Sequence, residues 1–146
     1  KGIALEALSF YLGRLIELDF VQWRLRSSET GGAELDVIME GANLIFSRWQ
    51  IQCKNSSQAT LEDIAKEVGI AQVLRTNVIL IVTTGRIGTK AVNFAERIMR
   101  ETNYQILLLD KNNLLEIRKD PTVITEIFKS QSENAMALKR NQIGIL

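Results

Sequence analysis

Apolar residues recur along this chain with two different periods, and the switch between them marks out the elements. Leu5, Leu8, Leu12, Leu15 and Ile16 return every three or four positions, which predicts a helix over residues 3–17. Glu6 falls on a flank of that stripe, with Phe10 and Glu17. Residues 19–26, DFVQWRLR, read as a strand, and SSETGG makes a turn in which Gly31 and Gly32 allow unusual backbone angles. Two further strands follow, joined near EGAN. The first sets Glu34, Asp36, Ile38 and Glu40 on one side and Leu35, Val37 and Met39 on the other. The second sets Arg48, Gln50, Gln52 and Lys54 against Trp49, Ile51 and Cys53.

The helical period returns after SSQAT. Thr60 and Asp63 have capping-box spacing and open a helix through Leu61, Ile64, Ala65, Val68 and Leu74. NVILIVTT (77–84) and YQILLLD (104–110) are nearly all apolar, as in strands covered on both faces, with a helix from about Lys90 to Glu101 between them. Strand, helix, strand at this spacing predicts a parallel crossover. A short helix near 112–117 follows, then a last one to about residue 138, with Asp120 as N-cap and Pro121 in the first helical position. The expected class is α/β: a mixed sheet, first an antiparallel meander and then a parallel βαβ unit, flanked by helices. The final NQIGIL reads as either a frayed tail or a docking segment.

Composition narrows the chemistry. The 146 residues are enough for one domain with a substantial core, and 46% hydrophobic with 24% charged residues is ordinary for a globular protein. No apolar run is long enough to cross a bilayer. Cys53 is the single cysteine and histidine is absent, which argues against structural zinc sites, Ser-His triads and internal disulfides, and fits a reducing, cytoplasmic setting. A net charge of +1 gives no global basic field, so any nucleic-acid surface would be local, with Arg24, Arg26, Arg48 and Lys54 as candidates or simply as solvated cations. The chain opens on Lys1, not on methionine, and reads as a piece of a longer polypeptide with a flanking domain elsewhere.

The polar strand faces carry the candidate chemistry. If the strands pair, Asp36, Gln52 and Lys54 converge within several ångströms, because paired strands lie about 4.8 Å apart. A carboxylate and an amide oxygen suit Mg²⁺, and an ammonium can hold water or stabilise charge on a phosphoryl oxygen. Gly31 and Gly32 leave room for a phosphate backbone. That points to metal-assisted phosphodiester hydrolysis. The plain alternative is a solvent-facing hairpin with an ordinary Asp36–Lys54 ion pair. GRIGTK (85–90) lacks phosphate-loop spacing; its Arg86 and Lys90 offer phosphate contacts at a helix start, or an ordinary turn.

The order of elements, with Asp in the second strand of a meander and Gln-Cys-Lys in the third, resembles the PD-(D/E)xK nuclease superfamily. GGAELD…QIQCKN, NVILIVTTGRIGTKAVNFAERI and YQILLLDKNNL are similar to the Mrr-like restriction endonuclease domain, whose catalytic pattern is Asp-…-Gln-x-Lys, over roughly residues 3–117. The resemblance implies a restriction-endonuclease-like three-layer fold, with a nuclease domain over 1–118 and a C-terminal helix and tail over 119–146 packed on it. It implies a metal-dependent, type IV-like DNA endonuclease in which Asp36, Gln52 and Glu6 hold Mg²⁺ (Mn²⁺ substituting) and Lys54 positions or activates water. Arg24, Arg26, Gly31, Gly32, Arg48, Asn55 and Arg86 are then the candidate DNA contacts. The partner is double-stranded DNA, methylated duplex included, and one site per chain suggests a homodimer for cutting both strands. A Holliday-junction resolvase or repair nuclease, and an inactive DNA-binding module, are the alternatives. Gln52 is neutral, so Asp36 and Gln52 alone give a divalent ion one negative charge; Glu6 or a DNA phosphate would have to supply more.

Overall fold

The computed structural model describes residues 2–26, 34–42 and 46–142, with the side chains of 24–26, 34–35 and 141–142 outside that set. The predicted SSETGG turn, with Gly31 and Gly32, therefore lies outside the described residues, as do Asn43 at the end of EGAN and the last four residues of the NQIGIL tail. The elements run α1 (Gly2–Leu15), β1 (Asp19–Arg26), β2 (Glu34–Gly41), β3 (Ser47–Lys54), β4 (Gln58–Ala59), α2 (Leu61–Leu74), β5 (Val78–Thr83), β6 (Arg86–Ile87), α3 (Thr89–Glu101), β7 (Gln105–Leu109), α4 (Lys111–Lys119) and α5 (Val123–Gln142). The short β4 and β6, which pair in parallel, had no period to reveal them.

Five strands form the main sheet in the order β1-β2-β3-β5-β7. The first three pair antiparallel and the last three parallel, as the element order predicted. Every residue of β5 is buried, which its continuous apolar run requires of a central strand. One face packs Val37, Ile51, Leu80 and Leu107 against Leu5 and Leu12 of α1, Ile117 of α4 and Phe128 of α5. The other packs Ile79, Ile81 and Ile106 against Ile64 of α2 and Ala91, Ala95 and Met99 of α3. Ile124 and Phe128 of α5 join the first cluster and Ala135 the second, so this helix wraps the β7 edge.

Three details depart from the periodic reading. Helix α1 stops at Leu15, because Glu17 takes a left-handed conformation (φ 61°) and the Leu18 N–H returns to the Gly13 carbonyl at 3.0 Å. Its buried face is Leu5, Glu6, Ser9, Leu12 and Gly13, rotated from the Leu stripe, and Leu8 is exposed. A bulge between Phe20 and Gln22 adds a residue to β1, so Phe20 and Trp23 share a face that strict alternation would deny them. Both rings pack on Phe10, at centroid distances of 5.7 and 6.2 Å. Finally, α5 begins at Val123; Asp120 closes α4, and its Oδ1 accepts from both the N–H and the hydroxyl of Thr122 in a tight turn.

Candidate active site

The register that pairs Val37 with Ile51 carries one step further to bring Asp36 opposite Gln52. Both are buried, at 7% and 6% exposure, and this overturns the solvent-facing reading of the polar strand face. Asp36 Oδ2 accepts the side-chain N–H of Gln52 at 2.8 Å and the backbone N–H of Cys53 at 2.6 Å. Gln52 Oε1 is buried with no hydrogen-bond partner among the described residues. Buried polar atoms are nearly always satisfied, so an amide oxygen beside a carboxylate with no donor is an arrangement that a hard cation could complete.

Lys54 ends β3 and makes an ion pair with Asp63 of α2, Nζ to Oδ1 at 2.7 Å. Asp63 also belongs to the capping box the sequence predicted: its other oxygen accepts the Thr60 N–H at 2.9 Å, and Thr60 Oγ1 accepts the Asp63 N–H. The plain cross-strand ion pair of the hairpin is found elsewhere, between Arg48 and Glu40 at 3.6 Å.

Glu6 is buried on α1, where helical spacing had placed it on a flank. Its Oε2 accepts the Trp23 indole N–H at 2.7 Å, a contact the β1 bulge permits. One turn along α1, the Ser9 hydroxyl meets the Cys53 sulfur at 3.1 Å. Burial pushes the Cys53 thiol up to about 12, against the Ser9 hydrogen bond, and the Asp36 and Glu6 carboxylates raise it further. Both acids therefore act on one thiol, and Glu6 shares the neighbourhood of Asp36. Among the described residues no group of three or more His, Cys, Asp or Glu side chains converges to hold a metal. A cation here would need the Gln52 amide oxygen in its donor set.

A second buried cluster escaped the sequence reading. Gln50, Glu67 and Thr76 are at most 3% exposed. Gln50 Nε2 donates to the Glu67 carbonyl at 2.9 Å and to its carboxylate at 3.0 Å, and Thr76 Oγ1 donates to Gln50 Oε1 at 2.5 Å. Burial raises the Glu67 carboxyl to about 7, although Lys66, the Gln50 hydrogen bond and Lys54 all pull it down. The signal was present: Glu67 lies three residues after Ile64 and three before Ile70, on the buried stripe of α2.

The candidate DNA contacts scatter. Arg48 is six residues before Lys54 on an extended strand, about 20 Å away, so the structure does not bring it to the site. Asn55 is exposed beside Lys54, and its Oδ1 accepts the Thr84 hydroxyl at 2.9 Å. Arg86 is exposed on β6 and donates to Gln58 Oε1 at 3.0 Å. The side chains of Arg24, Arg26 and Glu34 lie outside the described residues, as do Gly31 and Gly32.

The sequence model of the Mrr_cat restriction endonuclease family matches residues 6–117. The chain belongs to the Mrr-type restriction endonuclease family. The fold of this Mrr-type domain is similar to that of the DNA modification-dependent restriction endonuclease AspBHI, with a TM-score of 0.58 at 12% identity, over 92% of this chain and 35% of that one. It thus spans about a third of that enzyme's length. It is also similar to a protein of unknown function, AF1548, with a TM-score of 0.55 at 16% identity, over 96% of this chain and 99% of that one. No curated protein matches the sequence. Among the described residues of this Mrr-type domain, no helix is long and apolar enough to cross a membrane.

Proposed function

We propose that this domain is a metal-dependent DNA endonuclease that hydrolyses phosphodiester bonds, acting in the cytoplasm as part of a type IV-like restriction system. The observation that carries the reading is the buried, donorless Gln52 Oε1 next to Asp36, on the strand that ends in Lys54. Asp36 and Gln52 would hold Mg²⁺ or Mn²⁺, with the buried Glu6, whose carboxylate acts on the same Cys53 thiol as that of Asp36, as a further acid. When bound, the ion lowers the pKa of water and neutralises charge on the phosphoryl oxygens.

The chain's own groups account for the remaining requirements. The Cys53 N–H and Gln52 side chain fix one Asp36 oxygen and set the carboxylate's orientation. Lys54 extends past them from the strand end, where its ammonium can hold a nucleophilic water or stabilise a developing oxyanion. Asn55 and Arg86, both exposed near that strand end or on the adjoining β4/β6 ribbon, are read as phosphate contacts. Helix α5 is read as part of the same domain.

Supercoiled plasmid, methylated and unmethylated, incubated with Mg²⁺ or Mn²⁺ tests the reading. The expected result is nicking by wild type and none by Asp36→Ala. Branched and single-stranded DNA in parallel separate a restriction enzyme from a junction or repair nuclease. Equal cutting by both proteins, or DNA retention without cutting by wild type, would overturn it. Light scattering with and without DNA tests the homodimer that double-strand cleavage suggests.

A further inference from the structure

Lys54 carries its charge on a flexible four-carbon stem, so a catalytic use of its ammonium needs something to hold it. Asp63 is built to do that. Its Oδ2 is occupied by the helix cap, accepting from the N–H and the hydroxyl of Thr60 at 2.9 and 3.3 Å. That leaves Oδ1 for the Lys54 ammonium at 2.7 Å, and both side chains are only 23% exposed. Burial alone would raise the Asp63 pKa, but the Lys54 hydrogen bond and the Thr60 N–H outweigh it and hold the carboxyl below its ordinary value. It therefore stays ionised, and paired, at neutral pH.

We propose that Asp63 is a positioning residue: anchored by the first turn of α2, its carboxylate holds the Lys54 ammonium at the end of β3, two residues beyond Gln52. The proposal rests on the nuclease reading above and adds a residue outside the Asp-…-Gln-x-Lys pattern. The same helix cap that starts α2 thus orders the lysine, and α2 is coupled to the chemistry through one side chain.

Two variants of the whole chain test it. Asp63→Asn keeps an oxygen for the Thr60 N–H but replaces the partner of Lys54 with an amide, which can hold at most one of the two in place. Asp63→Glu keeps both functions, since Glu is the usual third residue of a capping box. Three quantities are read: plasmid-nicking kcat and KM, labelling of Lys54 by an amine-reactive reagent followed by mass spectrometry, and the melting temperature. Asp63→Asn is expected to lower kcat about 10- to 100-fold, the scale of a misplaced catalytic group. KM should stay within about two-fold, as expected when the loss falls on the transition state and not on binding. Lys54 should label severalfold faster, and Asp63→Glu should restore most of kcat.

Wild-type nicking by Asp63→Asn beside a dead Lys54→Ala would overturn the proposal and leave the nuclease reading standing. A kcat that falls only in step with melting, with no rescue by Asp63→Glu, would reduce Asp63 to a helix cap and also overturn it. If wild type nicks nothing, the nuclease reading falls. The labelling comparison needs no cleavage, and unchanged Lys54 labelling in Asp63→Asn removes the contact itself.

Discussion

Gln52 donates its side-chain N–H to Asp36 Oδ2 across 2.8 Å, and its own Oε1 is buried with no partner among the described residues. The pair is polarised in one direction: the amide's donor is spent on the carboxylate and its acceptor is left over. An ionised glutamate at this position could not donate to Asp36 and would instead oppose it with a second charge. The neutral residue lets the two sit together inside the protein, and it keeps an oxygen available for a cation.

Asp36 is therefore structural as well as chemical. Asp36→Ala removes the short, buried acceptor of Gln52 Nε2, leaving it the Cys53 carbonyl at 3.3 Å, and removes the acceptor of the half-buried Cys53 N–H. We expect a loss of about 1–3 kcal/mol, the scale for orphaned buried donors, together with loss of nicking. A urea titration beside the nicking assay checks both. Unchanged stability would mean that water takes over the two donors.

Glu67 should make the fold less stable as pH rises. Its carboxyl ordinarily titrates near 4.5 and is pushed to about 7 in the folded chain. Between those values the folded state holds more protons, so stability falls with pH and the full cost is present above about pH 7. The shift corresponds to roughly 3 kcal/mol as an upper scale. Glu67→Gln keeps an acceptor for Gln50, and should be the more stable protein at pH 8 while losing that advantage near pH 4.5. Denaturant midpoints at several pH values would show it; parallel curves for the two proteins would count against the assignment.

Cys53 should be inert in the native protein. Burial, opposed by Ser9 and reinforced by the neighbouring carboxylates, puts its thiol near 12, so almost no thiolate exists at pH 8. Iodoacetamide is expected to label it in guanidinium and to leave it nearly untouched without denaturant. Rapid native labelling would mean that the β3 end opens readily.

Gly85 should tolerate no side chain. A Cβ there would overlap the backbone carbonyl oxygens of Ser56 and Ser57, and the adjoining Arg86 N–H binds the Ser57 carbonyl at 3.1 Å. Moving that backbone disturbs the β4/β6 ribbon just beyond Lys54. Gly85→Ala is expected to cost about 1–3 kcal/mol, with nicking reduced in step. A wild-type denaturation midpoint would refute the close packing.

Much of this architecture was legible from spacing alone. The alternation in Glu34–Glu40 and Arg48–Lys54, the continuous apolar runs of β5 and β7 and the Thr60–Asp63 cap all express local backbone geometry, which a sequence displays directly. Asp36 and Gln52 stood out because they are polar at positions whose strand neighbours are buried, and the structure joins them. The DNA-contact candidates fared differently: Arg48 lies near in sequence to Lys54, but an extended strand carries it to the far end of the sheet.

Periodicity determined the order of elements, the mixed sheet and the polar face, because a side chain's direction repeats with its own backbone. It could not say which polar residues would be buried, since burial depends on what packs from elsewhere in the chain. Only the assembled fold rotated α1 to sink Glu6 and Ser9 against β1 and β3. The same assembly laid α2 over the polar strand face, so that Asp63 met Lys54 and Glu67 met Gln50. Such contacts join residues whose sequence separation carries no period, and they exist only once the layers have closed.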